Sequence, residues 1–96
     1  MLKFNQLVDA LNKKNIKFEA WSQVYDPYRN GTYDMTIVQF SLRSGIWVTF
    51  EGYAGLNDDV NLFFLERYSQ KTGNKSKSWK VGHNYLVDLG LEPYKY

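Results

Sequence analysis

The sequence predicts an α+β domain in the order α-β-β-β-α-α, with a three-stranded antiparallel sheet and helices packed on one of its faces. Three observations carry this prediction. Apolar residues recur at helical spacing near the start, the period changes to two from Ile16, and two β-rich runs between Thr32 and Tyr53 flank Arg43, Ser44 and Gly45. A chain of 96 residues has room for one core, so residues 1–96 are expected to form a single domain.

The first helix follows from Phe4, Leu7, Val8 and Leu11, which share one face, while Asn5, Gln6, Asp9 and Asn12 fill the other. Lys13 and Lys14 suit the negative end of its dipole. From Ile16 to about Tyr25 the apolar residues Ile16, Phe18 and Ala20 alternate with Lys17, Glu19 and Trp21, the pattern of a half-buried strand. Asp26-Pro27 and Asn30-Gly31 then mark a loop or hairpin tip.

Register decides which face of the next hairpin is buried. A two-residue loop would set Phe40 against Thr49 and Val38 against Glu51, mixing apolar and polar on both faces. A three-residue loop with Gly45 left-handed pairs Leu42 with Ile46, Phe40 with Val48 and Val38 with Phe50, which leaves one face wholly apolar. The opposite face then joins Met35 to Tyr53, Ile37 to Glu51, Gln39 to Thr49 and Ser41 to Trp47. Beyond Gly55, the run Asn57-Asp58-Asp59 has the composition of a helix start, and Val60, Phe63, Phe64 and Arg67 continue at helical spacing; a strand from Val60 to Tyr68 is the alternative. Residues 71–80 are polar and basic and read as an exposed connector. A last short helix spans roughly Trp79 to Leu89, weakened by Gly82 and stopped at Gly90-Leu91 in a Schellman motif.

This order of elements resembles the double-stranded-RNA-binding domain over residues 3 to about 70, and with the last helix it resembles some small phage proteins that inhibit CRISPR nucleases. The likeness is one of topology. At the start of the second helix, where the RNA-binding family carries a basic run, this chain has Asn57, Asp58, Asp59 and Asn61, so phosphate clamping in the manner of that family is not implied.

Composition narrows the function classes. An apolar fraction of 44% with 23% charged residues and a net charge of +2 is that of a self-folding globular protein. The absence of Cys removes disulfides, thiolate metal sites and cysteine nucleophiles. No apolar run approaches membrane-spanning length, and Met1-Leu2-Lys3-Phe4-Asn5 lacks the order of a signal peptide, so a cytoplasmic, membrane-free protein is expected. No metal is expected, because His83 has no second His three or four residues away. His83 itself reads as a partly exposed helix residue. A triad of His83, Ser78 and Asp88 ignores geometry, and the carboxylates of Asp26, Asp34, Glu51, Asp58 and Asp59 are explained as turn, sheet-surface and cap residues. No phosphate-cradling glycine loop occurs, so no cofactor is expected.

Two surfaces stand out. Trp21, Tyr25, Met35, Ile37, Trp47 and Tyr53, with Gln23 beside them, fall on the sheet face opposite the apolar one and have the size and chemistry of interface anchors. Arg67, Lys71, Lys75, Lys77 and Lys80, with no acidic residue between Arg67 and Lys80, form a basic stretch in which Trp79 offers a stacking surface for a base. The first surface leads to the expectation of a non-enzymatic binding protein acting through protein-protein contacts, such as a phage or mobile-element inhibitor of a host defence system of the anti-CRISPR kind. The second leads to the alternative of a small nucleic-acid-binding accessory protein, and an enzyme of unrecognised type ranks third. Whether the aromatic face also supports a homodimer is left open by the sequence.

Overall fold

The computed structural model describes residues 2–25 and 33–91. The chain runs α1 (Phe4–Lys13), β1 (Phe18–Tyr25), β2 (Tyr33–Arg43), β3 (Ile46–Gly52), β4 (Phe63–Ser69), β5 (Lys75–Ser76) and α2 (Trp79–Asp88). The fold is α+β with an antiparallel sheet, but the sheet has five strands in the order β1-β2-β3-β4-β5 rather than three. Both helices pack on one face of it. The expected helix after Gly55 is absent, which removes the likeness in element order both to the RNA-binding domain and to the small phage inhibitors of CRISPR nucleases.

Helix α1 forms where its periodicity placed it, burying Leu7, Ala10 and Leu11. At its start the Lys3 N–H donates to Gln6 Oε1 at 2.8 Å, one half of a capping box. At its end Ile16 N–H reaches Leu11 O and Asn15 N–H reaches Asn12 O, a Schellman motif with Asn15 at φ 55°. Asn tolerates that left-handed conformation, and the motif turns Ile16 back towards the core.

The β2–β3 hairpin adopts the register expected from its apolar face. Val38 pairs with Phe50, Phe40 with Val48, Ile37 with Glu51, Gln39 with Thr49 and Ser41 with Trp47. The end of the hairpin differs: Arg43, not Leu42, pairs with Ile46, and Leu42 is the extra residue of a bulge. The bulge reconciles a tight Ser44-Gly45 turn, with Gly45 at φ 83°, to the register that buries one face.

Residues 53–69 correct the sequence reading. Their buried side chains are Val60 and Leu62, with Phe64 packed against the same core, so the operative period is two and β4 replaces the expected helix. Asn57 does cap, but only a turn: its Oδ1 accepts from Asp59 N–H at 2.9 Å. The extended segment that follows serves α1, whose first donors have no acceptor within the helix. Phe4 N–H bonds to Val60 O at 2.9 Å, Asn5 N–H to Asp58 O at 3.2 Å, and Leu62 N–H to Leu2 O at 2.8 Å. A helix at 57–69 would withdraw those carbonyls and leave β3 without its second neighbour.

Helix α2 matches its expected span and ends in the expected Schellman stop, with Leu91 N–H on Leu86 O at 2.8 Å and Gly90 at φ 78°. Gly82 is a packing device rather than a weakness. A Cβ there would fall inside the van der Waals envelope of the Phe64 ring, so glycine sets the closeness of α2 to β4. The core beneath the helices joins Leu7, Leu11, Leu62, Leu86, Phe40 and Phe50, all fully buried. Phe50 lies 6.1 Å from Phe40 in a stacked arrangement and 5.6 Å from Phe64 edge to face. Such pairs add about 0.5–1.5 kcal/mol each beyond burial.

Candidate functional site

Because strand side chains alternate, the residues between the core positions project from the sheet face opposite the helices. Register arranges them in rows across the strands. Trp21 stands opposite Ile37, Ile37 opposite Glu51, and Glu51 opposite Phe63. The next row is Glu19, Gln39, Thr49 and Glu66, and the next is Ser41, Trp47, Tyr68 and Lys75.

These rows place the residues singled out in the sequence. Met35 and Ile37 are buried, at 7% and 6% exposure, yet lie outside the helix-covered core. They form the floor of this face. Trp21 and Trp47 are half-buried, and Tyr53, 59% exposed, stands at the rim. Gln23, opposite Met35, accepts a hydrogen bond from Trp21 Nε1 at 3.0 Å, which fixes the indole. Tyr53 donates its hydroxyl to Glu51 Oε1 at 3.0 Å, and its ring lies 6.1 Å from Phe63. Tyr25 ends β1, but its side chain, like the 26–31 loop expected from the sequence, lies outside the described residues.

The sequence reading missed Phe63, Glu66 and Tyr68 on this face because it did not place β4. The alternation of Val60, Leu62 and Phe64 was the signal that would have found them. Glu66 is unusual: its Oε2 is buried without a hydrogen-bond partner, while its cross-strand neighbour Thr49 accepts through Oγ1 from the Gln39 amide at 3.3 Å. At the lower edge the β2–β3 hairpin runs past the start of β1. There Asn15, Lys17, Glu19, Ser41 and Trp47 border an open cleft of about 1000 Å³.

The basic stretch does not form one surface. Lys75 pairs with Tyr68 on the outer face and sets its Nζ 5.7 Å from the Tyr68 ring. Arg67 pairs with Val48 and faces α2 on the other side of the sheet. Lys71 lies in the β4–β5 turn and Lys77 in the exposed link to α2. Trp79 and Lys80 open that helix, with Lys80 Nζ 5.9 Å from the exposed Trp79 ring. The structure thus splits the basic residues between the two faces and joins Lys75 to the aromatic one.

His83 is half-buried, edge-on to Trp79 at 5.7 Å, and its Nδ1 is buried without a partner. Ser78 and Asp88 are each five residues away along α2, about 7.5 Å of helix rise, so the three do not meet. Among the described residues no group of three or more His, Cys, Asp or Glu side chains is placed to hold a metal ion, and no helix is long and apolar enough to cross a membrane. Comparison of the chain with protein-family models, curated proteins and solved structures finds no match.

Proposed function

We propose that this protein is a binding module that docks another protein on the helix-free face of its sheet and acts by occupying that partner's surface. The observation that supports this reading is the layering: both helices cover one face, while the other carries Trp21, Trp47, Tyr53 and Tyr68 over a buried Met35–Ile37 floor. Half-buried aromatic side chains on a rigid sheet lose little entropy on docking and offer large amphipathic contact area. The cleft beside Trp47 gives this face relief into which a partner side chain fits. Occupancy without chemistry is the mode of an inhibitor of a host system, the role that the sequence reading favours. The division of the basic residues between two faces makes a single phosphate-tracking groove the weaker reading.

The test is capture of a protein partner from host lysate after nuclease digestion. Trp21→Ala and Trp47→Ala are expected to weaken capture by about thirtyfold or more, the effect of truncating an interface anchor, with the circular-dichroism spectrum unchanged. If nuclease abolishes all capture and Trp47→Ala has no effect, the reading is wrong and nucleic-acid binding replaces it.

A further inference from the structure

On the helix side of the sheet, away from the aromatic face, a partly enclosed cavity of about 320 Å³ opens between the sheet and α2. Its polar lining is Arg43 from β2, Arg67 from β4, and Asn84, Tyr85 and Asp88 from α2. Tyr85 is half-buried beside the sheet, while Asn84 and Asp88, four residues apart and both exposed, stand on the flank of the helix at the outer rim of the cavity. Ile46 of β3 lies between the two arginine-bearing strands and, with Val81, supplies an apolar wall. Strands β2 and β4 are two sheet spacings apart, about 10 Å, and Arg43 and Arg67 line the same cavity from either side of β3.

Neither guanidinium makes a side-chain hydrogen bond or ion pair among the described residues, and Asp88, in the same cavity, pairs with neither. A guanidinium carries five donors in a planar fork suited to the oxygens of a carboxylate or phosphate. Two such forks and one carboxylate leave the cavity with an excess of one positive charge. An oxyanion fits the arginine side, whereas Asp88 and the Asn84 carbonyl require a hydrogen-bond donor on the ligand.

We propose that Arg43 and Arg67 form a binding site for a small hydroxylated oxyanion, with its carboxylate or phosphate held between the guanidiniums and its hydroxyl groups turned to Asp88 and Asn84. The site is separate from the aromatic face, so it stands or falls independently of the proposed docking function. Glycerol 3-phosphate and glycerate carry the two versions of this chemistry on the same small body, and inorganic phosphate lacks the organic hydroxyls.

The experiment is an NMR titration of the whole chain with these three compounds up to millimolar concentration, at constant ionic strength made up with chloride, reading the arginine Nε–H signals. Saturable shifts at Arg43 and Arg67 are expected with glycerol 3-phosphate or glycerate, and whichever binds more tightly identifies the oxyanion. Arg67→Gln and Arg43→Gln are each expected to weaken binding at least tenfold, since a charge-assisted hydrogen bond is lost. Arg67→Lys keeps the charge and guards against a folding defect, and it is expected to weaken binding because the fork is gone. Asp88→Asn is expected to reduce the preference for the hydroxylated compounds over inorganic phosphate, and Lys77→Gln and Trp47→Ala to change nothing. No saturable shift with any compound, or equal binding by folded Arg67→Lys and Arg43→Gln variants, overturns the proposal.

Discussion

The two faces of the sheet are built from the same strands and alternate residue by residue, yet they differ sharply. On the helix side Val38, Phe40, Val48 and Phe50 are fully buried in the apolar cluster that holds the fold together. On the other side the interleaved residues are Ile37, Gln39, Trp47, Thr49 and Glu51, and polar groups there are tied by pairwise bonds such as Gln39 to Thr49. The difference shows a division of labour within single strands. Residues of one parity hold the helices, which leaves those of the other parity available for a surface role.

Substitutions across this divide test it. Phe40→Ala removes a fully buried ring stacked on Phe50 and is expected to cost about 3–5 kcal/mol in urea denaturation. A loss below about 1 kcal/mol would place Phe40 outside the core and break the assignment of faces. Gly82→Ala forces α2 away from Phe64 and is expected to cost about 1–3 kcal/mol, the range for overpacking, with the melting temperature falling accordingly. Unchanged stability would mean that α2 does not rest on β4 through this contact. Smallest is Glu66→Gln on the outer face. Replacing a carboxylate whose Oε2 is buried without a donor is expected to leave stability unchanged or raise it by up to about 1 kcal/mol. A clear loss would show that the carboxylate has a partner and that the outer face is more ordered than its bonds indicate.

The hairpin from Tyr33 to Gly52 was legible because only one register makes a wholly apolar face, and a slip of one residue reverses every side chain. Even there, local sequence did not reveal that Arg43 would take the pairing expected of Leu42, since a bulge depends on the twist and turn of both strands. The stretch from Asn57 to Ser69 misled because Val60, Phe63, Phe64 and Arg67 satisfy a helical period while Val60, Leu62 and Phe64 satisfy a period of two. Both patterns are present, and propensity does not choose between them. With β4 unplaced, Phe63, Glu66 and Tyr68 were missing from the candidate surface. The cavity between Arg43 and Arg67 was also hidden, because the two residues are far apart in the chain.

By itself, the sequence determined the two terminal helices, the Schellman stop of the second, the first three strands and the identity of the apolar face. These depend on side-chain periodicity and on residues such as Gly45 and Gly90, whose local conformational preferences act over a few positions. Only the tertiary structure decided that a turn at 58–59 would be followed by extended chain at 60–62 rather than by a helix. The reason is that the Asp58 and Val60 carbonyls accept from the open donors at the start of α1 and the strand that follows completes the pairing of β3, two demands made by parts of the chain distant in sequence.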